Sequence, residues 1–312
     1  MDKREKIKKM IKPVIPYLGL MIVFLLFALT TDGKFATVDN MKLIITQSAI
    51  TMVGAVGCTF VMAHNNLDFS LGGALALCSV ISFFVCEKIG FGWLVVICVA
   101  VGILCGLFTS LIHVKAGIPA FMAGLCVMFA GKGVAQAAYA NKPMFLPGNV
   151  TSMSTLPFYL GIVLVVFAIG FYLFRYTKIG KYNKLIGSNP RTAKLSGISI
   201  GKYKTIAFAI SGICVGLAAF MTMVRTGGVT GSTGTNFETE VLLSLTLGGI
   251  PLTGGSNTKI RSAVVGTLIY YFLNNGLVLW GIDANMVSII KAVIFLAAVV
   301  ITMDRGRNEI VI

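Results

Sequence analysis

The feature that most constrains this chain is a succession of ten apolar runs almost free of charge, at 14–30, 42–63, 69–86, 92–113, 118–140, 156–174, 203–224, 237–253, 260–281 and 285–303. Each is about 17 to 23 residues long. A helix rises about 1.5 Å per residue, so about 20 such residues cross roughly 30 Å of hydrocarbon, where a helix satisfies every backbone polar group internally. With 56% hydrophobic and 12% charged residues among 312, the chain has too little polar surface for a water-soluble globule. The expected fold class is all-α: a polytopic membrane helical bundle of about ten transmembrane helices. Small residues one turn apart, Gly54 with Cys58, Gly102 with Gly106 and Gly212 with Gly216, mark places where membrane helices pack closely.

Ten spans put both termini on one side, and the basic residues say which side. Of the 26 lysines and arginines, 19 fall on the side of the termini and five, Lys34, Lys42, Lys88, Lys142 and Arg225, on the other. Lys132 and Lys291 lie within runs. The positive-inside rule makes both termini and the polar segment 178–204 cytoplasmic. The net charge of +15 is then mostly an orientation signal with some attraction to anionic membrane lipid, and it argues against a nucleic-acid partner. The run 14–30 follows a basic stretch as a secretory signal does, but it exceeds the usual apolar core of one and no small-x-small site follows it, so it reads as a span. Gly248, Gly249, Pro251, Gly254 and Gly255 interrupt the end of the eighth run. It reads as a broken but complete span, because a re-entrant one would turn Arg305 and Arg307 outward.

Within 178–204, Gly187-Ser188-Asn189-Pro190-Arg191-Thr192-Ala193-Lys194-Leu195-Ser196-Gly197 carries helix punctuation. Asn189 suits an N-cap, Pro190 the first helical position and Gly197 the left-handed residue after the last, which predicts about two helical turns. A short, capped, basic helix kept in the cytosol by a membrane protein is a surface for a partner.

Chemistry is scarce elsewhere. The seven cysteines, Cys58, Cys78, Cys86, Cys98, Cys105, Cys126 and Cys214, lie in apolar runs without a C-x-x-C pair, so packing is expected and no metal site. His64 and His113 stand at span ends without a ligand at helical spacing, and packing at the interface is expected of them too. No G-x-S-x-G or H-E-x-x-H occurs, so no catalytic residue is nominated. The four Gly-Lys pairs are followed by Phe35, Gly133, Tyr182 and Tyr203, never by the Ser or Thr of a P-loop. The chain is therefore expected to have no cofactor and no nucleotide site of its own, and active transport would draw on an ion gradient or on another subunit. The polar exceptions are the candidates for a translocation path. Lys132 lies mid-run at a cost of about 2.5 to 3.5 kcal/mol on insertion scales, with Gln136 one turn on, and so faces the bundle interior or water. Glu238 and Glu240 open the eighth run on the outer side, and Lys291 lies in the tenth. Gating, solute contact or pairing of Lys132 or Lys291 with an acid are the roles open to them. Asp68 and Ser70 suit the N-cap region of the third span.

Four motifs in order then carry a resemblance: Leu67-Asp68-Phe69-Ser70-Leu71-Gly72, the segment Gly187 to Gly197, Leu247-Gly248-Gly249-Ile250-Pro251-Leu252-Thr253-Gly254-Gly255, and Leu273-Asn274-Asn275-Gly276-Leu277. Over nearly the whole chain they resemble the permease subunit of ribose-type sugar ABC importers, in the branched-chain amino acid/sugar permease superfamily. The resemblance implies a single permease domain, 1–312, in the bacterial cytoplasmic membrane. It implies a second permease subunit, identical or different, and an extracytoplasmic solute-binding protein that delivers a sugar or related small polar solute. It also implies cytoplasmic ABC ATPase subunits that hold the ATP and magnesium. Ser188, Asn189, Pro190, Arg191, Ala193, Lys194, Leu195, Ser196 and Gly197 would form the ATPase-coupling helix, with Arg191, Lys194 and Leu195 toward the ATPase. Asn274 and Asn275 join Asp68, Ser70, Lys132, Gln136, Glu238 and Glu240 as candidates for the path. The chain departs from the family pattern at Asn65-Asn66, where two glycines are usual, at Pro251 in place of serine and at Lys132 in place of arginine. The competing reading is a self-contained secondary transporter or channel.

Overall fold

The apolar runs become helices wherever glycine and proline leave them uninterrupted. The computed structural model of the chain describes residues 14–141 and 144–302, so the basic residues before position 14, Lys142, Arg305 and Arg307, on which the sidedness of the termini rests, lie outside the described residues. The first part contains α1 (Ile15–Thr30), α2 (Val38–Met62), α3 (Leu71–Ile89), a 3-10 turn (Phe91–Trp93), α4 (Leu94–Val114) and α5 (Ala120–Asn141). After it come β1 (Met144–Phe145), α6 (Gly148–Thr151), α7 (Leu156–Tyr176), α8 (Lys178–Ser188), α9 (Pro190–Leu195) and α10 (Ile200–Thr226). The chain continues through β2 (Gly228–Val229), α11 (Phe237–Leu247), α12 (Arg261–Leu279) and α13 (Ala284–Thr302). Among the described residues seven helices are long and apolar enough to cross a membrane: α2, α3, α4 with its 3-10 turn, α5, α7, α10 and α12. The chain is an all-α, multi-pass membrane protein. The first and tenth runs form shorter apolar helices.

Burial sorts the helices. In α2, 83% of the most apolar stretch is buried, so α2 is the centre of the bundle, whereas α7 at 11% is a peripheral helix with its apolar face outward. The small residues do what their spacing predicts at one crossing. Gly102 and Gly106 of α4 lie directly on Phe208, Gly212 and Gly216 of α10, and a Cβ at Gly102, Gly106, Gly212 or Gly216 would meet the carbonyl of the opposite helix. Gly54 instead receives the ring of Phe237. The two-residue antiparallel pair of β1 and β2, Met144 opposite Val229, ties the connection between α5 and α7 to the end of α10.

The third run turns helical later than expected and the eighth stops being helical sooner, and both differences shape the site. Residues 66–69 are non-helical, and α3 starts at Leu71 rather than Phe69. This stretch is folded inward: Asp68 is 2% exposed, and Gly124 of α5 lies against the backbone of Phe69 and Ser70. The eighth run is helical only over Phe237–Leu247, about 16 Å at 1.5 Å per residue, roughly half the hydrocarbon thickness. The helix stops where Gly249 takes a left-handed φ of 88°, and turns continue to Ile260. Phe237 starts α11 beside Gly54, in the interior of α2, so Glu238 opens the helix inside the bundle rather than at its outer surface.

Candidate functional site

The amino ends of α3 and α11 meet inside the bundle, and the contact depends on a glycine. A Cβ at Gly72 in the first turn of α3 would collide with the Glu238 carboxylate and the Gly234 carbonyl, so only glycine lets the two ends approach this closely. Each amino end presents backbone N–H groups without intrahelical acceptors and the positive pole of the helix dipole, which favours a carboxylate there. Glu238, in the first turn of α11, occupies that place and pairs with Lys132 of α5, Nζ to Oε1 at 2.7 Å. The pair is asymmetric: the Lys132 side chain is 27% exposed and that of Glu238 7%. Among the described residues Glu238 Oε2 has no hydrogen-bond partner. The junction therefore offers a charged donor, a free carboxylate oxygen and helix-end amides, the mixture that polyhydroxyl compounds bond to.

Direct pairing with an acid, the structural role open to Lys132 and Lys291, is found for Lys132 and not for Lys291. Lys291 Nζ donates to Asn274 Oδ1 at 3.0 Å and to the Tyr270 hydroxyl at 3.3 Å. Glu240 lies apart from Glu238, accepting from the hydroxyls of Tyr271 (3.0 Å) and Thr51 (3.4 Å). Asn275 forms reciprocal 2.9 Å bonds with Asn40, joining α12 to α2. Beside them, Gly276 makes room for the ring of Phe27. The motif Leu273 to Leu277 thus holds α1, α2 and α13 to α12. Asp68 Oδ1 accepts the backbone N–H of Ser70 at 2.9 Å and its hydroxyl, a turn that leads the chain into α3, and Oδ2 accepts from Ser211 at 3.5 Å. Gln136 is exposed one turn beyond Lys132. Lys132 and Glu238 are brought into direct contact where the ends of α3 and α11 meet, and Gly72 and Gly234, which no sequence signal singled out for this contact, complete the place.

The polar segment has the punctuation its sequence predicts and one helix more. Asn189 Oδ1 accepts from the backbone N–H of Arg191 (3.0 Å) and Thr192 (3.1 Å), Pro190 is the first residue of α9, and Gly197 takes φ 77°. The added helix is α8. Ile186, Ala193 and Ile198 form a small core with Tyr182, Ile200 and Tyr203, which fixes α9 with Arg191, Lys194 and Leu195 outward. Leu195 is 90% exposed, a bare apolar side chain on the same short helix as the exposed Arg191 and Lys194.

A polar network at the carboxy end of α2 was invisible in the sequence, because its members are far apart there. Asn66 Nδ2 donates to His64 Nδ1 and to His113 Nε2, both at 3.0 Å, and Lys204 Nζ donates to the same His113 nitrogen at 3.0 Å. His113 Nδ1 donates to the Ile118 carbonyl at 2.8 Å, which leaves Nε2 as the acceptor. Burial, followed by the nearby charges of Lys204 and His113, holds the His64 pKa down from its ordinary 6.5 to about 3. A base whose pKa is lowered by folding contributes stability that is complete above 6.5 and is lost as the pH falls toward about 3, by about 1.4 kcal/mol per pH unit in that window. We expect the melting temperature of the detergent-solubilised protein to fall below pH 6.5 and His64→Gln to flatten part of that fall. Equal slopes in the two proteins between pH 6.5 and 4.5 would contradict this assignment.

Comparison with known proteins gives the family of the chain. The family model described as "Branched-chain amino acid transport system / permease component" matches residues 40–299. The ribose import permease protein of Escherichia coli (strain K12) is 30% identical over 295 residues, covering 90% of this chain and 91% of that one. The ribose import permease protein of Bacillus subtilis (strain 168) is 27% identical, covering 94% and 92%. The galactose/methyl galactoside import permease protein of Escherichia coli (strain K12) is 25% identical, covering 90% and 91%. No solved structure matches the chain.

Proposed function

The chain belongs to the branched-chain amino acid transport system / permease component family and is the permease subunit of an ABC importer, and on that premise we propose that it passes a sugar or a related small polar solute across the membrane at the Lys132–Glu238 junction. The observation that carries this reading is the junction itself. Two interrupted runs bring helix amino ends, a lysine and an unsatisfied carboxylate oxygen together away from the surface, as membrane transporters do at their solute sites. The relatives named for ribose and for galactose and methyl galactoside support a sugar as the solute class.

The remaining parts follow from the same premise. The chain is one permease domain of ten spans with cytoplasmic termini, seated in the bacterial cytoplasmic membrane, with α1, α11 and its turns, and α13 completing the seven longer helices. ATP and magnesium are held by separate ATPase subunits, which dock on α9 through Arg191, Lys194 and Leu195. A second permease subunit covers the outward face of α5, where Gly133 and Gln136 are exposed beside the partly exposed Lys132 at membrane depth, since polar groups there need protein or water around them. The loops 141–155 and 225–237 receive a solute-binding protein on the outer side.

The test is affinity purification of the tagged chain from native membranes with identification of what accompanies it. Recovery of an ATPase and a solute-binding protein is expected. Recovery of the chain alone, active in liposomes with only an ion gradient, would replace the ABC mechanism by secondary transport. In the same assay Asn189→Ala with Gly197→Val is expected to reduce the recovered ATPase at least roughly tenfold. The cap contributes about 1 kcal/mol and a β-branched residue in the left-handed region costs about 1 to 2 kcal/mol. Normal insertion should persist, because both positions are exposed outside the apolar helices.

A further inference from the structure

We propose that Asn65 is a positioning residue that carries movement of the ATPase-facing helix α9 to both helix ends at the Lys132–Glu238 junction, an inference that rests on the reading of α9 as the docking helix. Asn65 stands just past α2 with a left-handed φ of 60°. Its backbone N–H donates to the Met62 carbonyl at 3.1 Å, and its side-chain Nδ2 donates to the Gly187 carbonyl at 2.8 Å. Gly187 lies two residues before the cap of α9 and is seated on the end of α2, where a Cβ would collide with the Ala63 carbonyl. The Met62 carbonyl also accepts the Gly255 N–H at 2.9 Å, and Gly254 packs on that same carbonyl. Asn65 Oδ1 lies 2.9 Å from where a Cβ of Gly255 would stand.

One residue therefore touches three segments: the approach to α9, the turns that follow α11, and its own chain, which runs through 66–70 into α3. The second segment leads back to Glu238 and the third to Gly72, the two sides of the junction. A displacement of α9 transmitted through Gly187 reaches both by way of Asn65. Asparagine tolerates this left-handed φ, as glycine would, and adds the side-chain hydrogen bond to Gly187 that glycine would lack.

Asn65→Gly removes the tie and keeps the backbone at ease, which makes it the informative variant. The experiment is hydrogen exchange on the complex of the chain with the ATPase that co-purifies with it, with and without ATP and vanadate. In the wild type we expect nucleotide to change exchange in 178–197 and also in 66–72 and 228–238. In Asn65→Gly the change in 178–197 should persist while that at the two junction segments shrinks by roughly two- to tenfold, the range one hydrogen bond supports. Undiminished changes at the junction in Asn65→Gly overturn the proposal and leave docking intact. A wild-type chain that recovers no ATPase overturns the docking reading and the proposal with it. Loss of assembly in Asn65→Gly also overturns it, since the side chain then acts on folding rather than on transmission.

Discussion

Lys132→Met is expected to abolish import and to lower the melting temperature of the solubilised protein by several degrees. Removing one member of a buried ion pair leaves the other uncompensated, at a typical cost of about 3 to 5 kcal/mol. Glu238 is the more deeply buried partner, so it bears that cost, and it relieves part of it by taking up a proton. The double variant Lys132→Met with Glu238→Gln separates structure from transport. It removes both charges at nearly constant volume, so stability should return toward the wild type while uptake stays low. Recovery of both stability and uptake would reduce the pair to a packing device. Wild-type stability in Lys132→Met alone would mean that the pair does not form in the membrane. The reversed pair, Lys132→Glu with Glu238→Lys, should recover less than the neutral double variant, because it places a lysine in the first turn of α11 and against the first turn of α3, where the helix dipoles oppose it.

Gly212→Val is expected to have an effect of similar size by a different route. The Cβ direction of Gly212 points at the Gly102 carbonyl, so a side chain there meets backbone, which cannot change rotamer to make room. Overpacking ordinarily costs about 1 to 3 kcal/mol, and the upper end or more is expected where two helices must separate. The measurement is the fraction of protein recovered as a monodisperse species in mild detergent, with Gly161→Ala as the comparison. No atom lies within 4 Å of a Cβ at Gly161 on the peripheral α7, so alanine there should be neutral or gain up to about 1 kcal/mol from helix propensity. Equal recovery of both variants would contradict the close crossing of α4 and α10.

The local readings that succeeded have a common basis. Asn189, Pro190 and Gly197 act through bonds and dihedral angles within four residues, so the limits of α9 were legible where they stand. The same holds for the stop in the eighth run, where glycines end α11 at Leu247. The pairing of Lys132 was legible as a need, because a lysine amid apolar residues requires a partner. Which of the acids it meets was not, since Glu238 is 106 residues away and only the tertiary structure chooses it over Glu240. Lys291 posed the same need and met it with neutral oxygens of Asn274 and Tyr270, a solution that only the packing of α12 on α13 makes available.

By itself the sequence determined the bundle: hydrocarbon tolerates no unsatisfied backbone, so apolar runs of that length become helices whatever surrounds them, and glycine, proline and asparagine set where they stop. It also marked Gly102, Gly106, Gly212 and Gly216 as small residues at which helices could touch. The tertiary structure alone decided that Gly102 meets Gly212, that Gly72 admits Glu238, and that Asn65 reaches Gly187. Those contacts join residues about 110 to 170 positions apart, and their direction depends on how helices rotate and cross. Side-chain volumes across the whole bundle fix that rotation together, and no single stretch of sequence contains it.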